Sequence, residues 1–135
     1  MFRSIQLRLR GQLRLRGQVR LRGAACALAA RAVGTTRIAN AEEWGDGIAT
    51  TARMLRAFGV ACEDRPDGLS VEGREGPLDG AEADPAGDPG VAMTAVVLAL
   101  AGRTPTRVRD AECIGEVFPK FVATLRALGA RIDIA

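Results

Sequence analysis

A chain of 135 residues holds one domain or a piece of one, and its 47% hydrophobic content is enough for a core. Only 4% of residues are aromatic, so that core must be built from Ala, Val, Leu and Ile, and the lack of any His or Tyr removes the commonest general base, the commonest metal ligand and the phenolic acid. The net charge of +3 is unevenly spread: residues 1–23 carry seven Arg and no acid, whereas 24–135 carry 12 basic and 16 acidic residues, so a +7 tail precedes a −4 body.

The tail repeats. QLRLRG, QLRLRG and QVRLRG fill 6–23 without a gap. Leu and Arg alternate, which is a strand period with one charged face. The charge suits nucleic acid or anionic lipid. However, no aromatic is present to stack on a base, and a low-complexity extension of no specific function is the simpler reading. An Arg-rich start without acids also has the charge of a transit peptide, although it holds a single Ser.

Beyond the tail the pattern predicts an apolar helix over 24–33, a strand over 35–39 and an amphipathic helix over 46–58. In that second helix Ile48, Ala52, Leu55 and Phe58 share a face, and Gly59 supplies the C-cap. A strand is expected over 60–63. CEDRPDGLSVEG reads as strand, Pro-Asp-Gly turn, strand, which is a hairpin. Residues 73–90 are rich in Gly, Pro and Asp and read as a loop. Residues 91–101 form an apolar run of 11, against the roughly 20 that a membrane-spanning helix needs, and predict a buried core helix. A strand follows over 105–109. A helix is expected over 118–128, with Pro119 in its first turn, Phe118, Phe121, Leu125 and Leu128 on one face, and Gly129 as its cap. Residues 131–134 close the chain as a strand, with Ile132 and Ile134 on one side.

The order repeats. Shifted by 70 positions, residues 24–59 lie on 94–129 without gaps, and 12 of the 36 positions are identical. Thr36 and Arg37 meet Thr106 and Arg107; Gly45 meets Gly115; Leu55, Arg56 and Ala57 meet Leu125, Arg126 and Ala127. A duplicated structural unit explains this. Alternating helices and strands give an α/β class with helices packed on sheet.

Few residues offer chemistry. Glu42, Glu43 and Asp46 gather before a helix, where acids serve either as an acid–base or cation site or as partners of the free N–H groups and the positive dipole end. Trp44 either stacks on a ligand or packs in the core. GDPG at 87–90 precedes a helix, a place where backbone N–H groups can hold phosphate; it lacks the Lys and Ser or Thr of a P-loop, and Pro89 has no N–H. Arg37, Arg107 and Arg109 on the predicted strands either receive an anion or are solvated. Cys26, Cys62 and Cys113 follow neither zinc nor disulfide spacing, which points to a reducing, cytoplasmic setting.

Four collinear stretches together resemble the C-terminal part of the EPSP synthase family. GTTRIANAEEWGDGIATTARMLRAFGV is similar to the family's strand and K-E-S-D-R-I helix, and RPDGLSVEG to its hairpin. GPLDGAEADPAGDPGVAMTAVVLALAG is similar to the stretch ending in G-D-H-R-x-A-M. DAECIGEVFPKFVATLRALGA is similar to A-x-C-x-A-K-S-F-P-x-F and the helix after it. The resemblance implies repeated α/β units of the enolpyruvyl transferase (inside-out α/β barrel) fold, about two of them present: a tail at 1–23, then a partial domain at 24–135 with units 24–90 and 91–135. It implies transfer of the enolpyruvyl group of phosphoenolpyruvate to shikimate 3-phosphate, with no metal or organic cofactor. Those anionic substrates would be partners only if a site is completed. Self-association or a partner chain is expected where a unit is missing, with no membrane role and nucleic acid set behind the other partners.

By that resemblance Asp46 is the catalytic candidate and Asp88 the substrate-binding candidate. Other matched positions depart from the family. Glu43, Trp44, Gly45 and Gly47 stand for its Lys, Glu, Ser and Arg; Pro89 and Gly90 for its His and Arg; Glu116 for its second Lys. The chain alone is therefore not expected to catalyse the transfer, and a non-catalytic structural or binding module is the alternative.

Overall fold

A computed structural model describes residues 12–14, 22–39, 41–100 and 102–134. The tail therefore lies outside the described residues at 1–11 and 15–21. In chain order the elements are β1 (Gln12–Arg14), α1 (Arg22–Arg31), β2 (Thr35–Ala39), α2 (Gly47–Ala57), β3 (Ala61–Arg65), β4 (Gly68–Glu72), β5 (Glu82–Ala83), α3 (Pro89–Ala99), β6 (Arg107–Val108), α4 (Ile114–Val117) and α5 (Phe121–Ala127). Two 3₁₀ turns, Glu42–Trp44 and Ala111–Cys113, lead into α2 and α4.

The strands make two sheets. One has the order β1-β2-β4-β3, in which β1 runs parallel to β2 and the β3–β4 hairpin is antiparallel. Pro66 and Asp67 form the hairpin turn, as expected. Gly68 opens β4 so close to β2 that a Cβ would lie 1.9 Å from the Ile38 carbonyl oxygen, which no side chain can share. The second sheet pairs β5 with β6 in parallel.

Pairing registers carry the 70-residue repeat further back than sequence identity does. Gln12 opposes Arg37 and Leu13 opposes Ile38; Glu82 opposes Arg107 and Ala83 opposes Val108. Each pair is the other shifted by 70. The repeating unit in space is thus strand, helix, parallel strand, 3₁₀ turn, helix, with β1-α1-β2-α2 matching β5-α3-β6-α5. A crossover helix between parallel neighbours is what the geometry of such pairs requires.

Helices α1 and α2 pack on the larger sheet, and α3 packs on both of them and on β6. Ile38, Leu55, Phe58, Leu69, Val71 and Leu98 are wholly enclosed, each contributing about 1.5–3 kcal/mol of hydrophobic stabilisation. Val91, Ala95 and Leu98 on α3 enter this core, whereas Ala92 enters a smaller one with Cys113 and Ile114. Gly59, at φ +81°, ends α2 in the left-handed conformation expected of its cap.

Three expectations are corrected. Residues 82–83 are strand, not loop. The helix expected over 118–128 is broken: α4 ends at Val117, Phe118 is extended (φ −141°, ψ 80°), and α5 begins at Phe121. The residue before a proline is pushed out of helical geometry, so Pro119 sits in the break and not in the first turn. Residues 131–134 are not paired as a strand. The apolar face of α5 is also left open: none of its residues is buried, and Leu128 just beyond it is 77% exposed.

Candidate functional site

Asp88 is the N-cap of α3. Its Oδ1 accepts from the N–H groups of Gly90 at 2.9 Å and Val91 at 3.2 Å, and Pro89 stands at the first helical position. The helix start that GDPG could have offered to a phosphate is thereby met by the chain's own carboxylate. A negative charge already placed on those donors repels a second anion.

Asp46 occupies the N-cap position of α2, but its side chain makes no cap hydrogen bond. It lines an open cleft of about 290 Å³ with Gly45, Ile48, Ala49, Asp64, Arg65 and Pro66. Asp88 is not among these residues. Two carboxylates and one guanidinium give the cleft wall a negative balance, and both Asp64 and Arg65 have partners. Arg56 Nη2 donates to Asp64 Oδ1 at 2.9 Å, and Arg65 Nη2 lies 3.6 Å from Glu63 Oε2. The Arg56 guanidinium holds the Asp64 carboxyl below its ordinary value. Glu42 and Glu43 are exposed in the first turn of their 3₁₀ segment, and Trp44 is buried in the core, so its role is packing.

Cys113 is buried just before α4. Burial pushes that thiol up, and the charges of Glu116, Glu112 and Asp88 push it the same way. Asp46 and Asp88 thus stand at the starts of two different helices, α2 and α3, and only Asp46 lines the cleft. Among the described residues, no group of three His, Cys, Asp or Glu is arranged to hold a metal ion.

The strand arginines divide. Arg37 donates to Asp67 at 2.7 Å and holds that carboxyl low, and Arg109 donates to Glu82 at 2.6 Å. Arg107 is exposed. Sequence reading missed the pairing of Arg56 with Asp64. The repeat held a signal for it: Arg56 and Arg126 are equivalent, and each donates to a carbonyl six residues on, Cys62 and Ile132.

The sequence model of a family described as EPSP synthase (3-phosphoshikimate 1-carboxyvinyltransferase) matches residues 12–125. The chain is 40% identical over 111 residues to the 3-phosphoshikimate 1-carboxyvinyltransferase of Methanocella arvoryzae, taking in 79% of this chain and 26% of that protein. Identity to the enzyme of the same name from Geobacter sulfurreducens is 39% over 110 residues, with 78% and 25% covered. Among solved structures, EPSP synthase from Acinetobacter baumannii superposes with a TM-score of 0.79 at 27% identity, covering 84% of this chain and 27% of that one. The chain spans about a quarter of the length of these relatives.

Proposed function

Because the chain belongs to the EPSP synthase family, we propose that its two α/β units serve a synthase-type domain, and that these residues alone do not catalyse the transfer. The reaction in question moves the enolpyruvyl group of phosphoenolpyruvate to shikimate 3-phosphate, in aromatic amino-acid biosynthesis. The fold is that of the enolpyruvyl transferases. The proposed domain is 24–135 with β1 added, and a cytoplasmic location belongs to the same proposal. No helix among the described residues is long and apolar enough to cross a membrane.

One observation carries the reading: the start of α3, a place that could receive an anion, is already taken by a carboxylate. Asp88 accepts from the N–H groups of Gly90 and Val91, and Glu116 stands exposed where the resemblance places a Lys. A hydrogen bond to a charged group contributes about 1.5–3 kcal/mol, so even three of the four missing Lys or Arg contacts amount to roughly 4–9 kcal/mol. That corresponds to about 10³- to 10⁶-fold in affinity. Asp46 shares its cleft with one guanidinium, that of Arg65, which lies 3.6 Å from Glu63 Oε2.

Thermal unfolding with millimolar phosphoenolpyruvate and shikimate 3-phosphate tests this. The expected result is an unchanged Tm, since a ligand stabilises only when its concentration exceeds its Kd. A rise of several degrees, abolished by Asp46→Asn, would show a working site and refute the proposal.

A further inference from the structure

Strands β1 and β5 hold equivalent places in the two units, but they are fixed there in different ways. Around β5 three features set the register. Leu78 is wholly buried and bridges Gly102, and the Arg103 N–H donates to the Leu78 carbonyl. The Gly80 N–H donates to Thr104 Oγ1 at 3.0 Å, so close an approach that a Cβ on Gly80 would lie 2.1 Å from that oxygen. The Ala81 N–H donates to Thr106 Oγ1 at 3.2 Å. A slip of β5 in either direction breaks all three.

The 70-residue shift puts Arg8 where Leu78 stands, Arg10 where Gly80 stands and Gly34 where Thr104 stands. Thr36 is kept as the equivalent of Thr106, yet its hydroxyl is buried without a hydrogen-bond partner. What sets β1 is its pattern alone. Gln12 opposes Arg37, Leu13 opposes the buried Ile38, and Arg14 opposes Ala39. That pattern is not unique in the chain, because QLRLRG at 12–17 stands unchanged at 6–11. Six is even, so a shift by one copy returns apolar and charged residues to the same register positions, whereas an odd shift would exchange them. The third copy, QVRLRG at 18–23, is excluded as an occupant. Arg22 and Gly23 already open α1, and only Leu21 would remain to turn the chain from strand to helix. In the second unit residues 84–88 make that turn.

We propose that the edge of β2 at Arg37–Ala39 is a shared seat, for which the identical segments 6–8 and 12–14 of this chain compete. The two states differ in the connection to α1. It consists of residues 15–21 when 12–14 is seated and of residues 9–21 when 6–8 is seated. Closure entropy of the longer connection then favours 12–14 by about 2.5-fold. The exchange also sets which arginines stand ahead of the sheet: Arg3, Arg8 and Arg10 with 12–14 seated, Arg3 alone with 6–8 seated.

Urea unfolding of the full chain tests this, with Leu-to-Asn changes that spoil one copy or both and leave the charge alone. Both leucines of a copy are changed, so that a slip of two residues cannot rescue it. Leu13→Asn with Leu15→Asn passes the seat to 6–8 and should lower the folding equilibrium constant by about 3.5-fold at most. Leu7→Asn with Leu9→Asn should lower it by no more than about 1.4-fold. All four changes together empty the seat and should lower it by more than about tenfold, the scale of one apolar side chain's burial. That exceeds the roughly fivefold product of the other two, which is the mark of copies that replace each other. Complete unfolding of the last variant counts as the larger loss. A loss with Leu13→Asn and Leu15→Asn as large as with all four would show that only 12–14 can be seated. Losses that simply multiply, or no loss with all four, would equally overturn the proposal.

Discussion

Replacing Phe58 with Ala and, separately, Leu128 with Ala perturbs two positions that the repeat makes equivalent. Phe58 is wholly enclosed by the main core, and truncating a buried Phe destabilises by about 3–5 kcal/mol. Leu128 keeps only roughly a quarter of its surface covered, so its loss should cost about 0.5 kcal/mol on the 1.5–3 kcal/mol scale for full burial. Urea unfolding measures both, with the slope of each transition checked for constancy. Phe58→Ala should shift the midpoint at least five times as far as Leu128→Ala. Comparable losses at the two sites would mean that Leu128 is packed in solution, and the account of an uncovered second unit would be wrong.

Other expectations concern caps, hydroxyls and acid. Asp88→Ala removes the acceptor of two N–H groups and should destabilise by about 0.5–2 kcal/mol in the same urea assay, with Asp88→Asn recovering most of it. The buried hydroxyl of Thr51 has no hydrogen-bond partner; Thr51→Val should therefore raise stability, by roughly 1 kcal/mol. Asp64 and Asp67 are held below the ordinary carboxylate value of 3.8 by Arg56 and Arg37. A lowered folded pKa gives stability that is present above that value and lost as pH falls through the folded one. Stability should decline on acidification from about pH 5 toward pH 2, and Asp64→Asn with Asp67→Asn should flatten that limb.

How legible all this was in the sequence depended on length and punctuation. Thr35–Ala39 could be bounded to the residue because β-branched positions follow Gly34, and the hairpin because Pro-Asp-Gly names its own turn. β5 could not, since two residues amid Gly, Pro and Asp show no periodicity. The first strand of the repeat was hidden likewise. Gln12–Arg14 and residues 82–84 share no identity, and only the pairing partners reveal them as equivalents. The face of α5 was readable as apolar, but burial needs a neighbour, and a periodic pattern says nothing of whether one is supplied. At the site, Asp88 before a helix was open to either role until its two hydrogen bonds were seen.

Helix α3 belongs by order to the second repeat, yet Val91, Ala95 and Leu98 are keyed into the first while Ala92 faces its own. It works as a shared wedge between the halves. A gene cut at the repeat boundary before residue 82 would yield an N-terminal half with a slot down its middle, prone to clump. The two copies, although alike, have become inseparable in folding, and any recombination of this module has to carry both.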